Sequence, residues 1–532
     1  MRSRFRHLLC ALAATAGAVA LPPASSVRAQ VASPAATVTA DVIVNVNAPG
    51  PVIDRHIYGQ FAEHLGRGIY EGIWVGEKSR IPNIRGYRKD VVEALRHIHV
   101  PVIRWPGGCF SEIYDWRDGI GPRKSRPTRV TMNWPNSIDT NQFGTHEFLD
   151  FAELIGADAY VSGNVGSMTP RDMAQWIEYM TSDQPESTLV QQRKRNGRDK
   201  AWRVPFFGIG NETWGCGGDM RPEYAADVNA RYAIFARAPA GYPMVKVASG
   251  ASVQGGGDFE KFTEAMMAHP GQTQALSFHY YAMPDGPKGP AVGFDEAAWA
   301  TELALARRME PLVTRTEAIM DRADPKRKIS LFVDEWGSWY LQPPEAPEGA
   351  HYQQNSLRDA MVAALTLDIF HRHTARVRMA NIAQMVNVLQ AMILTDKEKM
   401  ILTPTYHVFD MYQPFMDATP FPASVAAPDY RQGDTSMPMI DVSAARGKDG
   451  RLYLALVNVD PTRAARVNTN LAGQASGRLL TAARIDDHND FDAPDVVRPV
   501  PFAGRSDANR LSFDLPAKSI AVVAVEEGTT QP

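Results

Sequence analysis

Short apolar runs rich in β-branched residues alternate with helical patterns along most of this chain of 532 residues. Eight of these runs are predicted strands: His56–Gly59, Val100–Trp105, Ala159–Gly163, Val204–Ile209, Val245–Ala248, Ala275–His279, Ile329–Val333 and Val377–Met385. Between most of them, apolar residues recur at the spacing of one helix face, for example at Val91, Leu95 and Ile98. Eight strand–helix units in succession predict an α/β fold in which a parallel sheet closes into a (β/α)8 barrel, also called a TIM barrel.

The chain changes character after about Thr403. Turn residues there separate strand-like runs such as Arg451–Val459 and Ile520–Val525, which predicts an antiparallel, jelly-roll-like β-sandwich. Val38–Val46 is strand-like as well, so the N-terminal segment is expected to join this sandwich. One hydrophobic core rarely serves a chain of this length, and two folded domains are therefore expected. The predicted organisation is N-terminal strands over residues 41–55, a catalytic barrel over 56–403 and the sandwich over 404–532.

The N-terminus has the features of an export signal. Three arginines within the first six residues precede an apolar run from Leu8 to Leu21, and the small-residue site Val27-Arg28-Ala29 follows. This pattern predicts a signal peptide over residues 1–29 that is cleaved after its last residue, with residues 18–20 as the alternative site. Residues 30–40, rich in Ala, Ser, Thr and Pro, are predicted to be a tether. The mature protein is therefore expected in the periplasm or outside the cell.

Composition and motifs limit the partners that are expected. The formal net charge is −3 at pH 7 and the basic residues are scattered, so no nucleic acid is expected to bind. Beyond the N-terminus no stretch approaches the length of a membrane span, and no membrane partner is expected. No cofactor and no metal are expected, because the chain has neither a His-Glu-x-x-His pattern nor a cysteine pair at zinc-binding spacing. The sequence does not pair Cys109 with Cys216, and local packing or lining of a site is favoured over a structural bridge.

Two glutamates stand where predicted barrel strands end. Glu212 follows the fourth predicted strand and Glu335 follows the seventh. A carboxylate at the end of a buried strand must find a partner or take up a proton, and barrel enzymes carry their chemistry at this end of the strands. Two such acids are suited to cleaving a glycosidic bond, since one protonates the leaving oxygen and the other meets the positive charge that develops on the sugar.

Five motifs, in order along the chain, carry a family resemblance. They are Gly59–Arg67 (GQFAEHLGR), Arg104–Phe110 (RWPGGCF), Gly210–Glu212 (GNE), His279–Tyr281 (HYY) and Asp334–Trp336 (DEW). With these motifs at predicted strand ends, the chain resembles the α-L-arabinofuranosidases of glycoside hydrolase family 51, over a region from about Ile57 to Val388. The sandwich is similar in position to the second domain of that family.

The resemblance implies a retaining exo-glycosidase that releases terminal α-L-arabinofuranosyl residues from arabinose-containing polysaccharides or oligosaccharides by double displacement. It implies that Glu212 is the general acid/base and Glu335 the nucleophile. The residues that it implies for substrate binding are Glu63, Cys109, Asn211, His279, Tyr281, Trp339 and Gln384. Relatives commonly assemble into hexamers, so a homo-hexamer is expected.

Specific contacts with the sugar are expected from several of these residues. By resemblance, Asn211 hydrogen-bonds the 2-hydroxyl and Glu63 holds the outer hydroxyls. His279 and Tyr281 are two residues apart, so their side chains point to one face of a strand. Cys109 stands where some relatives have Asn, and its contact with the sugar is expected to be steric because a thiol lacks the paired hydrogen bonds of an amide.

Three other functions stay open from the sequence. An endo-acting β-glycanase that cuts glucan or xylan would belong to the same family. A non-catalytic carbohydrate-binding protein would need Glu212 or Glu335 to be lost, and both are present. A zinc hydrolase would need His64, His279 and several acids to converge.

Overall fold

The computed structural model of the protein describes residues 37–135, 137–254, 258–507 and 510–526. The expected signal peptide, residues 1–29, lies outside the described residues, as do residues 30–36 of the expected tether. Residues 38–40 of that tether are instead the start of a strand, Val38–Val44. Among the described residues, none of the helices combines the length and the apolarity needed to cross a bilayer.

Eight parallel strands close into a barrel, which confirms the predicted fold class. In chain order, and named the first to the eighth barrel strand, they are Gly59–Phe61, Val102–Trp105, Asp158–Gly163, Phe206–Ile209, Val245–Ala248, Ala275–Ala282, Ser330–Ser338 and Val377–Ala383. The first strand pairs with the second through Gln60 and Ile103 and with the eighth through Gly59 and Asn381, so the sheet has no open edge. The C-terminal ends of all eight strands therefore meet at one mouth of the barrel.

Helices surround the barrel. They are α1 (Lys89–His97), α2 (Thr145–Ile155), α3 (Pro170–Thr181), α4 (Thr188–Arg195), α5 (Pro222–Phe235), α6 (Phe259–Ala268), α7 (Glu296–Arg307), α8 (Met309–Ala323), α9 (Leu357–Arg372) and α10 (Pro404–Tyr412). Side-chain caps start several of them. Ser356, for example, accepts a hydrogen bond from the backbone of α9, and Asp359 three residues later bonds back to Ser356. Such a reciprocal cap satisfies backbone donors that the first turn of a helix leaves free.

The bounds of the first, sixth and seventh predicted strands differ most from those in the structure. His56 and Ile57 lie in a short 3-10 helix, Arg55–Tyr58, because the Asp54 side chain accepts from the His56 amide and caps its first turn. The first barrel strand therefore begins only at Gly59. The sixth and seventh strands run further than predicted, since they continue to pair beyond a bulge, with His279 opposite Glu335. Glu335 thus lies inside the seventh strand rather than after it.

Two packed sheets form the second domain, as predicted. One contains Ala423–Ala426, Val38–Val44, Ala465–Thr469, Arg510–Leu515 and Arg505–Asp507, in spatial order. The other contains Thr419–Phe421, Ile440–Arg446, Leu452–Asn458, Ser519–Glu526, Gln474–Leu480 and Val500–Ala503. Strand pairs in both sheets are antiparallel except that Val38–Val44 runs parallel to Ala465–Thr469. The N-terminal strand therefore lies in the sandwich, between strands from the other end of the chain.

The barrel and the sandwich share helix α9. Nearly every residue of α9 is buried, because the helix packs on the barrel with one side and on the sandwich strands Ile440–Arg446 and Leu452–Asn458 with the other. Helix α10 packs beside α9, and its Tyr406 hydroxyl donates to the Ala94 carbonyl of α1 at 2.9 Å. This helix thus completes the ring around the barrel, and the first sandwich strand begins at Thr419 rather than at the predicted boundary of residue 404.

Candidate active site

Glu335 points into the mouth of the barrel from the seventh strand. Only 5% of its surface is exposed. Arg104 of the second strand donates from Nη1 to its Oε1 at 2.7 Å, and the Tyr281 hydroxyl donates to its Oε2 at 2.8 Å. Because each carboxylate oxygen accepts a charge-assisted hydrogen bond, the orientation of Glu335 is fixed before any ligand binds.

Glu212 follows the fourth strand and faces Glu335 across the mouth. Its backbone φ is +41°, in the left-handed region that residues other than glycine rarely adopt. Its Oε1 lies 2.8 Å from His279 Nδ1, and one of its oxygens lies within 4.8 Å of an oxygen of Glu335. Retaining glycosidases place their two carboxyl groups roughly 5–5.5 Å apart, so this separation fits a mechanism in which one of the acids attacks the sugar directly.

His279 connects three acids. Its Nδ1 faces Glu212, and its Nε2 lies 3.0 Å from Asp334 Oδ1. Since both ring nitrogens face carboxylates, both donate and the ring is an imidazolium. Burial alone would lower the pKa of His279, but Glu335, Asp334 and Glu212 raise it to about 10. This fixed positive charge lies between the two candidate catalytic acids.

The two acids beside His279 differ in their pKa shifts. Burial raises the pKa of Glu212, and the negative charge of Glu335 raises it further, although the His279 hydrogen bond acts in the opposite direction. Burial also opposes ionisation of Asp334, but Arg104 and His279 hold its pKa at about 2. A proton is therefore retained on Glu212 in preference to Asp334.

Arg104 and Asn211 form a second linked pair at the mouth. Arg104 donates from Nη2 to Asn211 Oδ1 at 2.6 Å. Its guanidinium lies over the rings of Phe61 and Tyr160, with 4.7 and 5.7 Å to their centroids. Because the amide oxygen of Asn211 is engaged, its Nδ2 group is the part left to donate to a ligand.

Glu63, Gln384 and Gly108 form one wall of the barrel mouth. Glu63 Oε1 accepts from the backbone amides of Gly108 at 2.8 Å and Phe110 at 3.2 Å, and its Oε2 accepts from Gln384 Nε2 at 3.1 Å. The Oε1 atom of Gln384 is buried and has no hydrogen-bond partner among the described residues. A Cβ atom on Gly108 would approach Glu335 Oε1 to 2.7 Å, so only glycine leaves room beside the carboxylate.

Trp339 lies at the rim, just after the seventh strand. Its ring meets the Tyr281 ring edge-on, with 5.2 Å between centroids. The Lys288 ammonium lies 3.5 Å from the centre of the same ring and covers one of its faces. Trp339 is therefore joined to the site through Tyr281, and the ammonium of Lys288 already covers one of its faces.

Cys109 and Cys216 are joined by a disulfide, with their Cα atoms 5.5 Å apart. The expectation that favoured local packing over a bridge is therefore wrong. The physical reason is that the loops after the second and fourth strands lie next to each other at the barrel mouth, so that both cysteines are beside Glu212. The two sulfur atoms lie 3.8 and 3.7 Å from Glu212 Oε2. Cys109 is therefore bridged and also lies beside Glu212.

His64 lies behind the site and does not converge with His279. Its Nε2 accepts from Trp105 Nε1 at 3.0 Å, and its Nδ1 bonds to buried Asp139. Both ring nitrogens are therefore used in a packed network that also includes the Tyr70 hydroxyl. His64 therefore cannot share a metal ion with His279, as the zinc hydrolase alternative required, although atoms of Glu212, His279 and Glu335 lie within 4.8 Å of one another.

Sequence reasoning missed three charged residues that organise the site. Arg104 and Asp334 lie inside the family motifs, and Glu112 lies just beyond one, but the motifs alone assign no role to any of the three. For Arg104 the signal was present, because a cation within the buried strand Val102–Trp105 requires acids nearby. For Glu112 no such signal existed, since its partners are backbone amides of loops after other strands.

Known protein families and solved structures match most of this chain. Residues 94–298 match the family description "Alpha-L-arabinofuranosidase 1 domain", and residues 334–519 match "Alpha-L-arabinofuranosidase C-terminal domain". The crystal structure of the GH51 arabinofuranosidase from Xanthomonas axonopodis pv. citri has 49% sequence identity and a TM-score of 0.90, covering 92% of this chain and all of that one. The Thermotoga maritima α-L-arabinofuranosidase, solved with arabinose, has 28% identity and a TM-score of 0.80 over the same share of this chain and all of its own.

One relative bears on cellular location as well as on family. The intracellular exo-alpha-L-arabinofuranosidase of Bacteroides ovatus is 46% identical over 498 residues, which is 92% of this chain and 96% of that protein. The expectation of export to the periplasm or the medium is contradicted by this relative, whose name places it inside the cell. Taken with the matching domains and structures, this identity establishes that the chain belongs to the α-L-arabinofuranosidases of glycoside hydrolase family 51.

Proposed function

We propose that this protein releases terminal α-L-arabinofuranosyl residues by a retaining, double-displacement mechanism. The observation that carries the proposal is the pair Glu212 and Glu335, whose oxygens approach within 4.8 Å in unlike surroundings. Glu335 is held by two donors, while burial and the charge of Glu335 raise the pKa of Glu212 and favour its protonated form. One acid is thereby suited to attack and the other to donate.

In the first step, Glu335 attacks the anomeric carbon as a carboxylate while Glu212 donates its proton to the leaving oxygen. Glu212 Oε1 accepts from His279, so the transferable proton belongs on Oε2. The positive charge that develops on the furanose ring is met by Glu335. Asn211 supports this step by donating from Nδ2 to the 2-hydroxyl, a contact that strengthens in the transition state.

In the second step, water replaces the leaving group and Glu212 acts as the base. Glu335 is now bound as an ester and carries little charge, so the repulsion that favoured a proton on Glu212 is gone. Glu212 removes a proton from the water, which attacks the anomeric carbon as the bond to Glu335 breaks. Two inversions leave the released arabinose with the configuration of the substrate.

The wall formed by Glu63, Gln384 and Gly108 supports exo action. A polymer cut in its interior needs a groove that is open on both sides, whereas this wall provides acceptors suited to the outer hydroxyls of one terminal sugar. Glu63 Oε2 and the unpartnered Gln384 Oε1 are such acceptors. The relative from Bacteroides ovatus is also named an exo-acting enzyme.

We further propose that the substrates are arabinose-bearing polysaccharides or oligosaccharides of the arabinan and arabinoxylan type. Trp339 at the rim, which packs edge-on against Tyr281, offers aromatic surface to the sugar next to the scissile bond. We also propose a homo-hexamer, on the family resemblance alone. Light scattering after size-exclusion chromatography would measure the mass of the assembly.

Hydrolysis of 4-nitrophenyl α-L-arabinofuranoside tests the function, with Glu212→Ala and Glu335→Ala assayed beside the wild type in the presence of azide. We expect an active wild type and azide rescue of both variants. Glu212→Ala should yield the α-azide, because azide attacks the covalent intermediate, whereas Glu335→Ala should yield the β-azide by direct displacement. A wild type that is inactive here but cuts a β-linked glucan or xylan backbone would identify the endo-glycanase alternative instead.

A further inference from the structure

A further buried glutamate, Glu112, contacts the loop that carries Glu212 but has no part in the chemistry described above. It lies in the 3-10 helix Cys109–Ile113, which follows the second barrel strand, and only 1% of its surface is exposed. Its Oε2 accepts from the backbone amides of Val165 and Gly166, each at 2.7 Å. Its Oε1 accepts from the backbone amide of Asn211, the residue before the proposed acid/base.

These three bonds make Glu112 the connection between three loops at the barrel mouth. The helix that carries it follows the second strand, Val165 and Gly166 follow the third, and Asn211 follows the fourth. The Glu112 carboxyl group is packed tightly against two of these loops, since a Cβ atom on Gly166 or Gly210 would lie 3.1 Å from one of its oxygens. A buried carboxylate with three backbone donors is a rigid anchor, because loss of an acceptor would leave a buried amide unsatisfied.

The anchored loop needs such support because its backbone is strained. Glu212 has φ of +41° directly after Asn211, and a residue with a side chain keeps this left-handed conformation only where its surroundings impose it. After Glu212 in the chain, the amides of Gly215 and Gly217 donate to the Glu212 carbonyl at 2.7 and 3.1 Å. Before Glu212, the hydrogen bond from the Asn211 amide to Glu112 is the corresponding restraint.

We propose that Glu112 is the positioning residue for the general acid/base, and that its carboxylate keeps the carboxyl group of Glu212 in line with the leaving oxygen. The inference rests on the proposed role of Glu212. Glu335 has no hydrogen bond to Glu112, since Arg104 and Tyr281 hold it from other strands, and Arg104 also holds the side-chain oxygen of Asn211. Loss of the anchor should therefore impair proton donation and leave nucleophilic attack nearly unchanged.

The variant Glu112→Gln separates these two effects. An amide has nearly the shape of the carboxylate, but its NH2 group cannot accept, so at least one of the three backbone donors loses its partner. The measured quantity is kcat/KM on two substrates. The leaving group of methyl α-L-arabinofuranoside needs a proton, whereas that of 2,4-dinitrophenyl α-L-arabinofuranoside does not. General acid catalysis is worth about 10²- to 10⁴-fold, so partial misplacement should lower the methyl value about 10- to 100-fold and the dinitrophenyl value less than about 3-fold.

Two further variants complete the test. Glu302→Gln changes another buried glutamate, on helix α7, which among the described residues has no hydrogen bond to the three loops that Glu112 connects, and should leave the ratio of the two kcat/KM values at the wild-type level. Glu112→Asp keeps two acceptor oxygens and should restore part of the methyl glycoside activity; it also takes the place of Glu112→Gln in the comparison if that variant does not fold.

The outcomes are distinct. An equal loss on both glycosides, or no loss on either, would overturn the positioning role of Glu112. A wild type that cleaves neither glycoside would instead overturn the proposed function on which the inference rests.

Discussion

Removing the hydroxyl of Tyr281 should slow the second catalytic step more than the first. The Tyr281→Phe variant loses the hydrogen bond to Glu335 Oε2, which is 2.8 Å long and joins two buried side chains. In the covalent intermediate Glu335 carries little charge, and the charge returns to it as water displaces the sugar. The phenol donor stabilises that returning charge, so without it Glu335 is a poorer leaving group.

The size of the effect follows from the kind of bond that is lost. A hydrogen bond to a charged group contributes about 1.5–3 kcal/mol, and each 1.36 kcal/mol corresponds to a tenfold change in rate. The rate of the second step should therefore fall roughly 10- to 150-fold. Arg104 still donates to Glu335 Oε1, so the carboxylate keeps a partner and the protein should remain folded.

Steady-state kinetics with 2,4-dinitrophenyl α-L-arabinofuranoside measure this effect, because departure of that leaving group is fast and the second step then limits kcat. We expect kcat and KM to fall together while kcat/KM changes much less, since the intermediate accumulates. Tyr280→Phe is the matched control: its hydroxyl donates to the Leu305 carbonyl, away from the site, and its kcat should equal that of the wild type. A fall in kcat/KM as large as that in kcat, with KM unchanged, would refute the reasoning.

Three other predictions follow from the charges and the cross-link at the site. Replacing Glu335 by Gln removes a negative charge beside Glu212, so the pKa of Glu212 should fall; carbon-detected NMR titration of labelled glutamates measures it, and a rise would contradict the electrostatics described here. The folded-state pKa of His279 is raised from 6.5 to about 10, so its contribution to stability is complete below pH 6.5 and is lost as the pH rises towards 10. Urea unfolding at several pH values should record this loss, and His279→Gln should make the free energy of unfolding depend less steeply on pH over that range. Replacing both Cys109 and Cys216 by Ala should lower the free energy of unfolding by about 2–4 kcal/mol, and a reductant should destabilise the wild type but not the double variant.

The barrel was predictable because its strands are buried on both faces and therefore leave continuous apolar runs in the sequence. The sixth and seventh strands were harder to delimit. Their polar ends, from His279 and from Asp334 onward, do not look like buried strand, yet they pair because the polar side chains bond to each other in the mouth. The first strand was misplaced for a local reason, since the Asp54 cap turns an apolar stretch into a 3-10 helix.

The candidate catalytic acids were predictable, but the residues that hold them were less so. Glu212 and Glu335 stood out as charges at the ends of apolar strands. The anchor Glu112 and the disulfide depend on how loops from different strands lean together over the mouth, and spacing in one sequence does not encode that arrangement. The orientation of the His279 ring between Glu212 and Asp334 likewise follows only from the closed barrel.

Trapping the covalent intermediate tests the central claim most directly. Glu212→Ala, which lacks the base for the second step, should accumulate the glycosyl-enzyme when mixed with 2,4-dinitrophenyl α-L-arabinofuranoside. Mass spectrometry of the quenched protein should then record the added mass of one arabinofuranosyl group, and peptide mapping should locate it on Glu335. An adduct on any other residue, or turnover of the substrate with no adduct at all, would contradict the account.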